Sequence, residues 1–318
     1  MKYNILGKTG LKVSELCFGT LPLGPLQNNM STADGGILIR SALESGVNFI
    51  DTAQIYKTYP HILAAIKDFK GETIITTKSV AETYEDMKQA IIDAQQQLNR
   101  DYIDIFLLHA ARASSDVFET RAGAWECILE FRQKGIIRAA GIAAHSVKSV
   151  EVSAVRDDID VIFPIINSKG MGILEGTLET MLAAIKLASD NGKALYAMKS
   201  LAGGALINEY EKSINYIREL NYFDSIALGM SQEYELSAAL KVFNNEPLSE
   251  AELKAMKSNK RLLIMPWCSN CLNCVDACPN DAFEKNKDGK VQVNFKKCVL
   301  CGYCVPSCSQ FALRLKNG

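Results

Sequence analysis

Eight of the ten cysteines in this 318-residue chain fall within the forty-one positions from Cys268 to Cys308. They form two runs, CSNCLNCVDACP from Cys268 and CVLCGYCVPSC from Cys298. Cys268, Cys271, Cys274 and Cys278, followed by Pro279, meet the spacing C-x2-C-x2-C-x3-C-P. Cys298, Cys301, Cys304 and Cys308 repeat it, with Ser309 in the place of the proline. Such spacing belongs to iron–sulfur ligation, and the expected cargo is two 4Fe–4S clusters, which carry electrons singly. Structural zinc takes four ligands per ion and favours paired C-x2-C units, so it fits the doublet less well. The N-terminal stretch lacks a basic region followed by an apolar one, so no export signal is expected and metal is favoured over disulfides. The remaining two, Cys17 and Cys127, sit in apolar patterns and are expected to be buried and inert.

A second set of reactive side chains lies upstream. Asp51 and Tyr56 stand in FIDTAQIY, Lys78 in TIITTKS and His109 in IFLLHA. A phenol titrates near 10 in water, about three units too high for an efficient acid at neutral pH. A neighbouring ammonium is expected to lower that value and ease proton donation to a developing alkoxide. An aspartate paired with the lysine fixes its position, and an imidazole can orient the substrate oxygen. Alone, each of these residues reads as a polar cap on a strand end. Together they read as a carbonyl-reducing site.

The elements that must position these residues are legible as alternation. Short apolar runs at ELCFG, VNFID, TIITTK, IDIFLLH, IRAAGIA, VIFPII, KALYAM and DSIAL predict strands. Between several of them lie amphipathic stretches such as YEDMKQAIIDAQQQLN and TLETMLAAIKLASDNG, which predict helices closed by Gly or Asn-Gly. Eight strand–helix units predict an α/β fold, a (β/α)8 TIM barrel, and the near-continuous apolarity of the strands fits a sheet covered on both faces. No G-x-G-x-x-G follows the first strand, which counts against a Rossmann fold. LGKTGLKV predicts a hairpin over the barrel bottom. NNEPLSEAELKAMKSNK predicts a linker helix, so the expected domains are residues 1–258 for the barrel with its linker and 259–318 for a small ferredoxin-like domain. Asp51, Lys78 and His109 each end a strand run, and barrel active sites gather at that rim.

Over about residues 3–240 the chain resembles the aldo-keto reductase family, through LGKTGLKVSELCFGT, GVNFIDTAQIY, TTKS, LLH and GI. The resemblance implies Tyr56 as proton donor, Lys78 and Asp51 as its tuning pair and His109 as orienter of the substrate. It also implies a nicotinamide cofactor, but the residues that grip nicotinamide in the family are changed. Ala144 and His145 stand where Ser-Asn is usual, Phe163 where a glutamine is usual, and Met198 where a tyrosine stacks; Asn167 is retained. The loops after strands seven and eight offer Lys199, Gly203, Gly204 and, as helix N-cap, Ser231 for a phosphate. No Arg or Lys follows in SQEYEL for a 2′-phosphate, so NADH is favoured over NADPH. About residues 262–316 resemble the bacterial two-cluster ferredoxin. That resemblance assigns Cys268, Cys271, Cys274 and Cys308 to one cluster and Cys298, Cys301, Cys304 and Cys278 to the other.

Composition adds limits. With 48% hydrophobic and 22% charged residues and a net charge of −1, the chain is ordinary globular material with no electrostatic case for nucleic acid or an anionic membrane. No apolar run reaches the roughly 18–20 residues of a membrane span, and a cytoplasmic location is expected. A hydride carries two electrons and a cubane one, a mismatch that a flavin resolves. The expected function is therefore an iron–sulfur oxidoreductase interconverting a small-molecule carbonyl and alcohol, with a ferredoxin-like or flavoprotein electron partner. One alternative is an FMN-dependent reductase that holds flavin in the barrel. Another is a noncatalytic electron carrier or redox sensor built on a relic barrel.

Overall fold

The computed structural model describes all residues except 205, 257–259, 299, 301, 303, 309–311 and 318. The expected boundary at residue 258 lies outside the described residues. Eight parallel strands close into a barrel. They are β1 (Leu16–Gly19), β2 (Phe49–Asp51), β3 (Ile74–Ser79), β4 (Ile103–Ala110), β5 (Ile137–Ala144), β6 (Val161–Pro164), β7 (Ala194–Ala197) and β8 (Ser225–Gly229). Closure is made where β8 pairs with β1, Ile226 opposite Leu16 and Gly229 opposite Gly19. Strands β1, β2, β3, β6 and β7 are buried at every position, the reason their sequences carry no polar alternation.

A principal helix follows each strand, α1 (Thr32–Glu44), α2 (Tyr59–Ile66), α3 (Tyr84–Leu98), α4 (Ala122–Gln133), α5 (Val147–Ala154), α6 (Leu178–Asp190), α7 (Tyr210–Glu219) and α8 (Glu233–Phe243), with a short helical turn at Val117–Thr120 ahead of α4. Their ends follow local chemistry. The Ser31 hydroxyl accepts the Asp34 amide at 3.1 Å to open α1, and Thr83 accepts that of Asp86 at 3.2 Å to open α3. Asn99 at φ 50° stops α3, and Gly192 at φ 70° follows α6, the left-handed stop predicted for both.

Strands Tyr3–Ile5 and Lys12–Ser14 form the expected antiparallel hairpin. It sits at the N-terminal end of the strands, where the Gly7 amide donates to the Asp224 carboxylate at 2.9 Å just ahead of β8. The barrel interior is filled by aromatic rings. Tyr196 stacks on Phe163 at 3.8 Å between centroids and lies tilted against Phe49 at 5.1 Å. Tight strand approach elsewhere excludes any side chain: a Cβ on Gly141 would stand 1.8 Å from the Val161 carbonyl oxygen.

The segment after α8 is seated rather than free. Helix α9 (Glu250–Met256) buries Met256, and Leu248 ahead of it also joins the barrel core. Beyond it the tail has two antiparallel pairs, β9 (Lys260–Ile264) with β12 (Leu313–Asn317), and β10 (Phe283–Lys285) with β11 (Val291–Val293). Its own core groups Leu262, Phe283, Val305 and Leu313 with Cys274, Cys304 and Cys308, and Leu26 of the barrel packs against it. That core is small, so sulfur-bound metal is expected to supply part of the domain's stability. Among the described residues no helix is long and apolar enough to cross a membrane.

Candidate active site and cluster cages

The strand ends deliver the four expected residues to one cavity of about 520 Å³ at the C-terminal mouth of the barrel, lined by Asp51, Tyr56, Lys78 and His109. Lys78, at 2% exposure, is fully engaged: its ammonium donates to both Asp51 oxygens at 2.7 and 2.9 Å and to the Thr52 carbonyl at 2.8 Å. The pair is held in a dry setting where loss of one partner strands a charge at a cost of about 3–5 kcal/mol. Burial pushes the Asp51 carboxyl up against the opposing pull of Lys78.

Tyr56 differs from expectation in one respect. The Lys78 nitrogen lies 5.2 Å from the Tyr56 ring centroid, over its face, with its donors spent elsewhere. Burial, then the Asp51 charge, raise the phenol above its ordinary value, so the ammonium does not lower it. Tyr56 therefore keeps its proton throughout the neutral range. His109 meets it edge to face at 6.0 Å. Burial, followed by the Lys78, Arg121 and Lys199 charges, lowers the His109 imidazole to about 3. Its ring is neutral, and among the described residues its buried Nδ1 has no hydrogen-bond partner.

Sequence reasoning missed three contributors. Tyr196, read as strand core, donates its hydroxyl to Asp51 at 3.2 Å from below. Arg121 donates to the carbonyls of Ser79 and His109 at 3.1 and 3.2 Å, tying the ends of β3 and β4 together. Arg112, three residues past His109, lines the cavity and donates to the Ala277 carbonyl in the tail. Only Arg112 carried a signal, a cation immediately beyond a strand end.

The residues expected to grip a cofactor divide. His145, Met198, Lys199, Gly203 and Gly204 line the cavity, the last three at φ 62°, 67° and 102°. The His145 Nε2 lies 3.2 Å from the Met198 sulfur, and burial, then Lys199, hold His145 well below its ordinary value. Asn167 does not reach the cavity lining. Its amide closes its own loop, donating to the Met171 carbonyl at 2.9 Å and accepting the Met171 amide at 2.9 Å. Ser231 is not the N-cap of α8; Gln232 is. The Ser231 and Gln232 amides instead donate to the Glu235 carboxylate at 2.7 and 3.1 Å. A phosphate brought to this helix end, from NADH or from FMN, meets a carboxylate already bound there. Asn167 and Ser231 therefore do not join the other expected cofactor residues on the cavity wall.

The cysteines fit clusters better. Cys268, Cys271, Cys274 and Cys308 line one void, and after burial their mutual charge raises Cys274 to about 11. Among the described residues no three His, Cys, Asp or Glu side chains group around a single metal ion. The four sulfurs line the same small void, the ligand set that the 4Fe–4S resemblance assigns to one cluster. Cys278, Cys298 and Cys304 share the tail core, while Cys301 lies outside the described residues. The two crossover sulfurs are equivalent: Cys278 accepts the Ala282 amide at 3.3 Å and Cys308 the Ala312 amide at 3.2 Å. Most telling is the cavity itself, because Leu300, Gly302, Val305 and Ser307 of the second cysteine run complete its wall.

The chain belongs to the aldo/keto reductase family: that family's model matches residues 15–224, and a model described as a 4Fe-4S dicluster domain matches residues 267–316. It is an aldo-keto-reductase-like oxidoreductase with a 4Fe–4S domain. The uncharacterized oxidoreductase YqkF of Bacillus subtilis is 22% identical, over 82% of this chain and 97% of that protein. Methylglyoxal reductase DkgA of Escherichia coli K12 is 29% identical, over 36% of this chain and 41% of that protein. Among solved structures, aldo-keto reductase AKR11C1 of Bacillus halodurans superposes with a TM-score of 0.63 at 22% identity, covering 81% of this chain and 95% of that one. That likeness establishes the barrel and no activity.

Two outcomes follow from the electrostatics. An unfolded imidazole titrates near about 6.5, whereas folded His109 titrates at about 3. Between those values the unfolded chain binds the additional proton, so stability rises with pH across that window and levels off above it. In His109→Gln the slope of urea-unfolding free energy against pH, measured from pH 4 to 6.5, becomes shallower; an unchanged slope contradicts the neutral assignment. In Glu235→Gln the α8 terminus loses its internal anion, and calorimetric affinity for inorganic phosphate and NADH rises about tenfold. Equal affinity in wild type and variant shows that Glu235 does not guard that terminus.

Proposed function

We propose that the protein interconverts a carbonyl and an alcohol in the Tyr56 cavity, with electrons passing one at a time through the tail. The observation supporting this is the shared wall: Tyr56 and His109 face the same space as Val305 and Ser307 of the second cysteine run. The reading includes the domain division at residue 258 and a cytoplasmic setting, where reducing conditions keep such thiols available.

In this reading Tyr56 holds the proton that moves. Carbonyl reduction consumes two electrons and two protons. The phenol delivers one proton to the substrate oxygen as that oxygen becomes an alkoxide, a base strong enough to deprotonate even a raised phenol, and the second proton, which with the second electron completes the new C–H bond, comes from a solvent molecule admitted to the cavity. Neutral His109 orients the same oxygen without adding a charge. The Asp51–Lys78 pair, fixed from below by Tyr196 and from the side by the Thr52 carbonyl, keeps the Tyr56 ring in place through the ammonium over its face. Apolar residues such as Leu26, Met256 and Leu300 line the mouth and limit the entry of bulk water.

Cys268, Cys271, Cys274 and Cys308 would hold one 4Fe–4S cluster, and Cys278, Cys298, Cys301 and Cys304 the other. When bound, the two clusters supply single electrons, and two of them meet the demand of one carbonyl. The partner is then a one-electron carrier of ferredoxin or flavoprotein type, and the substrate a small carbonyl or alcohol.

The deciding variant is Tyr56→Phe in anaerobically reconstituted full chain, assayed for carbonyl-dependent reoxidation of the reduced protein across a panel of aldehydes and ketones. The rate falls by about 10²-fold or more, with iron and sulfide content unchanged. Undiminished reoxidation rejects Tyr56 as the acid.

A further inference from the structure

The charges on the wall of the Tyr56 cavity do not cancel. Three cations line it, Lys78, Arg112 and Lys199, and two carboxylates, Asp51 and Glu235. Lys78 and Asp51 are spent on each other. Glu235 is engaged at the opening of α8, where it accepts the amides of Ser231 and Gln232. Arg112 meets no carboxylate: among the described residues its hydrogen bond goes to the Ala277 carbonyl, an uncharged acceptor. A guanidinium carries five N–H donors, so one bond to a carbonyl leaves it able to grip an anion. Lys199 adds a second positive charge to the same wall.

Three strand ends bring this charge to one place. Arg112 stands in the loop after β4, His145 directly after β5, and Met198, Lys199 and Ser200 directly after β7. The last loop is held against the β5 end, with the Met198 sulfur 3.2 Å from the His145 Nε2. The Lys199 and Arg112 charges both act on His145, and that of Lys199 also acts on His109. Both imidazoles are neutral, so the positive field here comes from Arg112 and Lys199. Ser200 supplies an independent observation. It is 1% exposed and lies on the cavity wall, and its hydroxyl has no hydrogen-bond partner among the described residues. A buried hydroxyl left unpaired is costly and uncommon, and it calls for an acceptor that a ligand would bring.

We propose that the substrate is an oxo acid, whose carboxylate is held by the Arg112 guanidinium and the Ser200 hydroxyl beside Lys199 while its carbonyl oxygen meets Tyr56 and His109. A carboxylate is acceptor-only, as the Ser200 donor requires, and its plane matches the paired N–H groups of a guanidinium. It is ionised at neutral pH and so answers the surplus positive charge of the wall. A cavity of about 520 Å³ is ample for a small oxo acid. Arg112 and Ser200 are binding residues in this arrangement, and the acid–base step stays with Tyr56. This inference rests on the proposed use of the Tyr56 cavity for a carbonyl. Its test reads binding to the oxidised protein without turnover, so the two can fail separately.

The experiment is anaerobic titration calorimetry on the reconstituted full-length protein, kept oxidised and without an electron donor. The probes are 2-oxobutanoate, 4-oxopentanoate and 4-carboxybenzaldehyde, each beside its own carboxamide, which has nearly the same shape and no charge. In wild type at least one acid binds about tenfold tighter than its amide. Arg112→Gln removes that preference and leaves the amide affinity unchanged, whereas Arg112→Lys, which keeps the charge but not the fork, retains part of it. Ser200→Ala weakens the preferred acid by about threefold. Arg112→Gln also loses the bond to Ala277, and a merely structural role would weaken acid and amide alike. The proposal is overturned if no acid binds tighter than its amide, if Arg112→Gln weakens both forms equally or neither, or if Ser200→Ala binds the acid as wild type does.

Discussion

The second cysteine run lies across the mouth of the barrel, and most of what is distinctive about this protein depends on that contact. A (β/α)8 barrel ordinarily leaves its C-terminal rim to loops. Here Val305 and Ser307 complete the cavity wall, Leu26 packs into the tail core, and Arg112 reaches the Ala277 carbonyl. Helix α9 makes this possible because Met256 and Leu248 are anchored in the barrel core, so the chain enters the tail from a fixed point. Without that anchor the tail would be a tethered domain, and proximity between sulfur cage and tyrosine would be a matter of chance encounter.

Beneath the junction, the barrel solves a separate problem, how to keep a buried charge pair and a protonated phenol side by side. All three Lys78 donors are satisfied by Asp51 and Thr52, and the stacked Tyr196 and Phe163 rings support the carboxylate from the interior. The ammonium thus serves as a fixed cation over the Tyr56 ring rather than as its direct hydrogen-bond partner. The second carboxylate at the rim, Glu235, works differently. It neutralises the amides at the start of α8, a place where barrel enzymes often bind phosphate.

Much of this was legible in the residues. The eight strand runs are apolar because both faces are buried, so their identity was written in composition alone, and the tetrad stood at strand ends where the fold must expose it. The cysteine spacing was equally direct, because ligation imposes local geometry. What escaped was long-range. Tyr196 is one aromatic in a buried strand, and nothing nearby in sequence reveals that its hydroxyl meets Asp51, 145 positions away. Asn167 looked available for a cofactor, but its amide competes locally and closes its own loop. Ser231 is a favoured N-cap residue type ahead of a helical run, yet the cap fell one residue later, at Gln232, three positions before Glu235. The raised phenol of Tyr56 depends first on its burial and then on the nearby Asp51 charge, both properties of three dimensions.

The most direct measurement of this account is the location of iron, by anomalous diffraction from crystals grown anaerobically with reconstituted clusters. Two four-iron peaks are expected, one among Cys268, Cys271, Cys274 and Cys308, the other between Cys278 and the second run, against the wall that Val305 shares with Tyr56. Peaks confined to the outer cage, or an inner peak turned away from that wall, contradict an electron route into the tyrosine cavity.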